Sequence, residues 1–180
     1  NAMPAYASEA GGQILAPDET QDFDLTWSGE SEIDGQPLWS MLQAVDSTFT
    51  VNMERSFQAR NAHAYEVEVL CAPSRAGILP RADQPRPFPL PEQEWLLLGR
   101  PVDRVVVCRD GLPARIVAPD PRWFALQKLW MSEQPKRNAL KRPKDLKQGA
   151  ALLDAVAEAM PQYPLDAEFE ATIPTDLRPH

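Results

Sequence analysis

A chain of 180 residues with 43% hydrophobic content is long enough to bury one sizeable core and short enough to need no division. Its formal net charge of −8, with a pI near 4.8, opposes broad affinity for DNA or RNA backbones, which demands phosphate-neutralising Lys and Arg, while a small nucleotide held through a metal remains compatible. Two histidines, two cysteines and eight glycines without a Gly-x-x-x-x-Gly-Lys run exclude a zinc cluster, a Ser-His-Asp triad and a P-loop. The lack of a signal peptide, and of an apolar run approaching about 18 residues, argues for a cytoplasmic protein with no membrane contact.

Asn1-Ala2 reads as an expression scar ahead of Met3. Residues 4–10 read as a short helix, and Gly11-Gly12 as its C-terminal cap. The first strand is predicted over residues 22–27, where Asp22 and Asp24 alternate with Phe23 and Leu25. A helix over residues 37–45 follows, with Pro37 in its first turn and Leu38, Met41, Leu42 and Val45 at core spacing. Short strands are expected over residues 49–51 and 56–59, then a longer alternating one over residues 64–71 that carries Glu66 and Glu68. The proline-rich stretch 73–91 favours extended chain and reads as a stiff surface connection, with a lid as the alternative. Cys71 and Cys108 each follow an apolar run and read as buried reduced thiols, with their pairing as the alternative, and His63 reads as a loop residue.

Beyond a short element at residues 95–98, the runs 104–108 and 114–117 flank Asp110-Gly111 and predict a hairpin. Asp120 can cap a helix whose first residue is Pro121, with Trp123, Leu126, Leu129 and Trp130 facing a core and Lys128 on the flank. A further helix is predicted from Pro143, leaving Arg142 outside, with Leu146, Ala150, Leu153, Ala157 and Met160 as its apolar stripe. The basic run from Lys136-Arg137 to Lys141-Arg142 reads as a solvated face, with phosphate or RNA contact as the alternative. The last twenty residues carry little pattern. The order predicts one α+β domain over residues 3–180, with a mixed-sheet portion 3–118, a helical portion 119–160 and a tail 161–180.

Alternation puts Asp22 and Asp24 on one face of a strand, about 6.5–7 Å apart along the backbone, and Glu66 and Glu68 likewise, with neighbouring strands about 4.8 Å apart. Clustered carboxylates repel one another unless a cation neutralises them. Oxygen ligands of this kind suit Mg²⁺, and two such ions about 3.5–4 Å apart can hold the attacking and leaving oxygens of a phosphoryl displacement. Periodicity alone is met as readily by a solvated sheet face opposite Phe23, Leu25, Val67 and Val69, the commoner meaning of such alternation.

The ordered set of Thr20-x-Asp22-x-Asp24-Leu25, Phe57-x-Ala59-x-Asn61-x-x-x-Tyr65-x-Val67-Glu68-x-Leu70-x-x-Pro73, Pro119-x-Pro121-x-x-Phe124-Ala125-Leu126-x-Lys128-Leu129 and Lys144-Asp145-Leu146-x-Gln148-x-Ala150-x-Leu152-Leu153 resembles a bacterial family of nucleotidyltransferase-fold proteins in the polymerase-β-like superfamily. The resemblance runs from Tyr6 to Met160. It implies a nucleotidyltransferase-like mixed sheet with flanking helices, Mg²⁺ or Mn²⁺ as cofactor, a nucleoside triphosphate as substrate and an acceptor that is a protein, an RNA or a small molecule. It implies Asp22, Asp24 and Glu68 as metal ligands and catalytic residues, with Glu68 where the family more often has Asp. Lys128 and Lys144 match family lysines suited to phosphate, and Asp145 is suited to position Lys128. The superfamily's Gly-Ser or Gly-Thr pair ahead of the paired acids has no counterpart in this sequence, which implies weak or lost transfer. The competing expectation is a non-catalytic nucleotide-binding or protein-interaction module that retains the fold.

Overall fold

The structure, a computed structural model, describes residues 2–12, 22–28, 37–78, 84–108 and 110–180. The fold is α+β. Its described residues divide into two compact units, one drawn from residues 18–97 and the other from residues 2–17 and 98–180. The predicted hairpin therefore belongs with the helices and not with the acid-bearing sheet, because the first helix packs on it.

The first unit contains β1 (Asp22–Trp27), α2 (Leu38–Val45), β2 (Thr50–Val51), β3 (Gln58–Arg60), β4 (Glu66–Cys71) and β5 (Phe88–Pro89). These five strands form one sheet in the order β1-β4-β3-β2, with β5 also paired to β4. β1 runs parallel to β4 along its full length, so β3, antiparallel over Glu66 to Glu68, and β5, parallel at Leu70 and Cys71, share the opposite edge of β4 in succession. Val67, Val69 and Cys71 are buried on one face of β4. There Phe23, Leu25, Trp39 and Leu42 close over Phe49, Ala59 and Val67.

Several boundaries differ from the sequence-based expectation. β4 starts at Glu66 because Ala64 has a positive φ of 62°, which interrupts the extended run. β3 starts at Gln58 because Ser56 and Phe57 form a turn closed by Gln58 N–H donating to the Arg55 carbonyl at 2.8 Å. α2 rests on the sheet through Trp39 and Leu42, leaving Met41 and Val45 exposed at 45% and 82%. Two helical turns reach a small cluster through one i, i+3 pair, so the inward face is centred between Trp39 and Leu42 and lies away from Met41 and Val45. Pro73–Ile78 is a 3₁₀ turn and not extended chain, anchored where Ser74 N–H and Oγ donate to the Glu94 carboxylate at 2.7 and 2.8 Å. The edge pairing of β5 is one that proline permits.

The second unit contains α1 (Met3–Glu9), the β6–β7 hairpin (Val102–Val107 and Pro113–Ala118), α3 (Pro121–Glu133), α4 (Arg142–Ala159) and α5 (Ala167–Thr172). α1 ends in a Schellman motif, with Gly12 N–H donating to the Ala7 carbonyl at 2.7 Å and Gly11 N–H to that of Ser8 at 3.3 Å. Both glycines have positive φ, so the pair is the expected cap. Tyr6 is fully buried among Val102, Ala118, Ala125 and Met160, and its hydroxyl donates to the Pro119 carbonyl at 2.9 Å. Asp120 caps α3 as expected, accepting from Arg122 N–H at 3.0 Å.

α4 corrects two expectations. Arg142 is its first residue, with Pro143 in the second position, where a missing N–H is tolerated. The buried positions are Asp145, Gln148, Gly149, Leu152, Ala155 and Val156, a stripe displaced from the predicted one; Leu146 is 54% exposed, and Ala150 and Ala157 are exposed too. α3 approaches so closely at Gly149 that a Cβ there would lie 2.8 Å from Leu129 Cγ and 2.9 Å from the Ala125 carbonyl oxygen. The polar members of the stripe hid it from a hydrophobicity pattern. The tail also packs, with Tyr163, Phe169 and Leu177 buried and Phe169 edge-on to Trp123 at 5.2 Å. Cys108 is exposed, which corrects its assignment as a buried thiol, whereas Cys71 is buried; both are free.

Candidate active site

The core-facing side of the sheet fixes what the other side carries. With Phe23 and Leu25 committed to the cluster over Val67, Asp22 and Asp24 project from the opposite face of β1. The same alternation on β4 sends Glu66 and Glu68 to that face. The parallel register sets Asp22 opposite Glu66 and Asp24 opposite Glu68, and the antiparallel register of β3 sets Gln58 opposite Glu68 and Arg60 opposite Glu66. Four acids, one amide and one guanidinium thus occupy three adjacent strands of one face.

Their electrostatics are uneven. Burial raises the Glu68 carboxyl above the ordinary glutamate range, the neighbouring Asp24 charge adds to the rise, and hydrogen bonding from Gln58 and the Arg55 charge oppose it. Glu66 has a cation at hand, with Arg60 Nε 3.7 Å from its carboxylate. Tyr65, at the entry to β4, has its hydroxyl pushed up by burial and by Asp22. Gln58 is only 5% exposed, and its Nε2 donates to both glutamates, at 2.8 Å to Glu68 and 3.2 Å to Glu66.

An all-oxygen donor set of this kind fits a hard divalent cation such as Mg²⁺ or Mn²⁺ better than a soft one. Among the described residues, no three His, Cys, Asp or Glu side chains converge on a point that would hold a metal ion. The fit therefore lies in donor chemistry and strand register, not in a closed ligand cage.

The second unit holds the remaining candidates. Asp145 is 1% exposed and accepts from Lys128 Nζ at 3.0 Å and from Arg137 Nε at 2.6 Å. Burial alone would raise its carboxyl, but the Arg137 hydrogen bond and the Lys128 charge outweigh that and hold it below the ordinary aspartate range. Lys128 also sits over the Phe124 ring at 5.5 Å. Lys144 is the third residue of α4. Arg137, assigned from sequence to a solvated face, is instead half-buried against Asp145; a charged run gives no sign of which member turns inward.

Gln58, Arg60 and Arg137 are not singled out as site residues by the sequence pattern, nor is Asn52, whose Nδ2 donates to Gln58 Oε1 at 2.7 Å. The pairing of Gln58 and Arg60 at alternate positions was the available signal, obscured while β3 was bounded at residues 56–59. No described helix is long and apolar enough to cross a membrane. In comparison with known proteins, residues 1–173 match a family described as Nucleotidyltransferase. No curated protein and no solved structure matches the chain.

Proposed function

The chain belongs to this nucleotidyltransferase family, and from that premise we propose that it transfers a nucleoside monophosphate from a nucleoside triphosphate to the hydroxyl of an acceptor that is a protein, an RNA or a small molecule. The acceptor oxygen forms a bond to the α-phosphorus, the bond to the β-phosphate oxygen breaks, and pyrophosphate leaves. Asp22, Asp24 and Glu68 would hold divalent cations, Mg²⁺ or Mn²⁺, which when bound supply positive charge to the phosphoryl oxygens. The single observation supporting this reading is the parallel register of β1 and β4, with Asp22 opposite Glu66 and Asp24 opposite Glu68.

Glu68, set opposite Asp24 by the strand register, is the group proposed to assist deprotonation of the acceptor hydroxyl. In the second unit, Lys128 and Lys144 are the cations proposed for nucleotide phosphate, with Asp145 orienting Lys128 at 3.0 Å. A nucleotide-binding module without transfer is the second reading.

Label transfer from triphosphates labelled at the α-phosphate, screened against protein and RNA acceptors, tests the proposal. Weak transfer is expected in the parent, in keeping with the missing Gly-Ser or Gly-Thr pair, and should fall by at least about a hundredfold in Asp22→Asn and in Glu68→Gln. Parent-like turnover in either variant rejects the assignment. Nucleotide binding without transfer by the parent selects the module.

A further inference from the structure

The hydrogen bonds around Gln58 form a directed chain whose polarity is fixed at its far end. Backbone N–H groups can only donate, and those of Glu54 and Arg55 donate to Asn52 Oδ1 at 3.0 and 3.3 Å. That orients the Asn52 amide, whose Nδ2 donates to Gln58 Oε1 at 2.7 Å. The Gln58 oxygen is thereby committed, so its NH₂ group must face β4, where one donor goes to Glu68 and the other to Glu66. Both donors and the acceptor of this buried amide are used.

We infer that Gln58 is a positioning residue that holds the Glu68 carboxylate for its cation, and that Asn52, which touches neither glutamate, sets the direction in which Gln58 donates. The inference rests on the assignment of Glu68 as a ligand. A neutral donor suits this role because it spans two like-charged groups and fixes their orientation without cancelling the charge that attracts a cation. A lysine at position 58 would fix the same carboxylates and neutralise one of them. Arg60, 3.7 Å from Glu66, supplies a positive charge to that glutamate, so β3 treats the two acids differently. It leaves Glu68 held by an amide and Glu66 beside a guanidinium.

Groups that orient metal ligands typically change affinity by about ten- to a hundredfold when removed. The test is Mn²⁺ titration of the full chain, followed by electron paramagnetic resonance of free Mn²⁺, on the parent, Glu68→Gln, Gln58→Met and Asn52→Asp, with circular dichroism to check the fold. Gln58→Met keeps the length of the side chain and loses the donors. Asn52→Asp keeps the acceptor for Glu54 and Arg55 but turns an oxygen toward Gln58, whose amide must flip and present its own oxygen to the glutamates. That substitution adds a negative charge, which by itself would raise cation affinity, so weaker binding is diagnostic of the flip. Gln58→Met and Asn52→Asp are each expected to weaken Mn²⁺ about ten- to a hundredfold in a folded protein. Loss of binding in Glu68→Gln with parent-like binding in the other two overturns the positioning role alone. A parent that binds no Mn²⁺, or a Glu68→Gln variant that binds like the parent, overturns the ligand assignment and the positioning role with it. If Gln58→Met unfolds, Asn52→Asp decides the question.

Discussion

Replacing Asp145 with asparagine removes one negative charge from a buried site that two cations share, Lys128 at 3.0 Å and Arg137 at 2.6 Å. Two charge-assisted hydrogen bonds of about 1.5–3 kcal/mol each set an upper bound near 3–6 kcal/mol. The amide keeps an acceptor for one of them. Water reaches part of the released cations, whose side chains are 17% and 25% exposed for Lys128 and Arg137, so the expected loss is about 2–4 kcal/mol. The pH dependence carries a definite sign. Because the folded carboxyl lies below its ordinary range, the pair's contribution is fully present above the unfolded value of about 3.9 and is lost as pH falls through the folded value. Urea unfolding of parent and variant, followed by far-ultraviolet circular dichroism, should show a constant gap from about pH 7 to pH 5 that closes in more acidic buffer. A gap under about 1 kcal/mol at neutral pH, or one that stays level across the acid range, would refute the electrostatic account of this site.

Gly149→Ala should destabilise despite alanine's higher helix propensity: the gain of about 1 kcal/mol is outweighed by overpacking of about 1–3 kcal/mol, since the Cβ meets a backbone carbonyl oxygen at 2.9 Å. A melting temperature equal to or above the parent's would show that α3 and α4 separate freely. Lys128→Met should weaken binding of a nucleoside triphosphate more than that of the monophosphate with Mg²⁺ present, while Arg137 keeps Asp145 compensated. Equal losses for both nucleotides, measured by calorimetric titration, would leave Lys128 a purely structural cation.

The acid face was legible because a period of two needs only the sequence. Once Phe23, Leu25, Val67 and Val69 are taken as core, Asp22, Asp24, Glu66 and Glu68 have no other side to occupy. What the period cannot state is which strands adjoin and in what register, so the pairing of Asp24 with Glu68 and the arrival of Gln58 beside it emerged from the sheet. α3 was legible from Asp120 and Pro121, a cap followed by a first-turn proline. The inward stripe of α4 is not legible in the sequence, because it contains Asp145, Gln148 and Gly149, residues that hydrophobicity assigns to the surface. Their burial depends on partners distant in sequence, Lys128 for the carboxylate and Leu129 for the glycine. The packing of Tyr163, Phe169 and Leu177 was hidden for the same reason, since isolated apolar residues among prolines and acids carry no period.

The parallel pairing of β1 with β4 has a consequence for how the chain finds its fold. Sliding β1 by one residue would turn Asp22 and Asp24 into the space now filled by Phe23 and Leu25, and expel those two side chains into water. The acids therefore guard against mispairing as well as lining a surface. Valine at both positions would still extend readily, but it would make the slipped sheet nearly as good as the true one. Such a protein would lose alignment before it lost secondary structure, and a slipped β1 at the edge of the sheet would become a template for neighbouring chains.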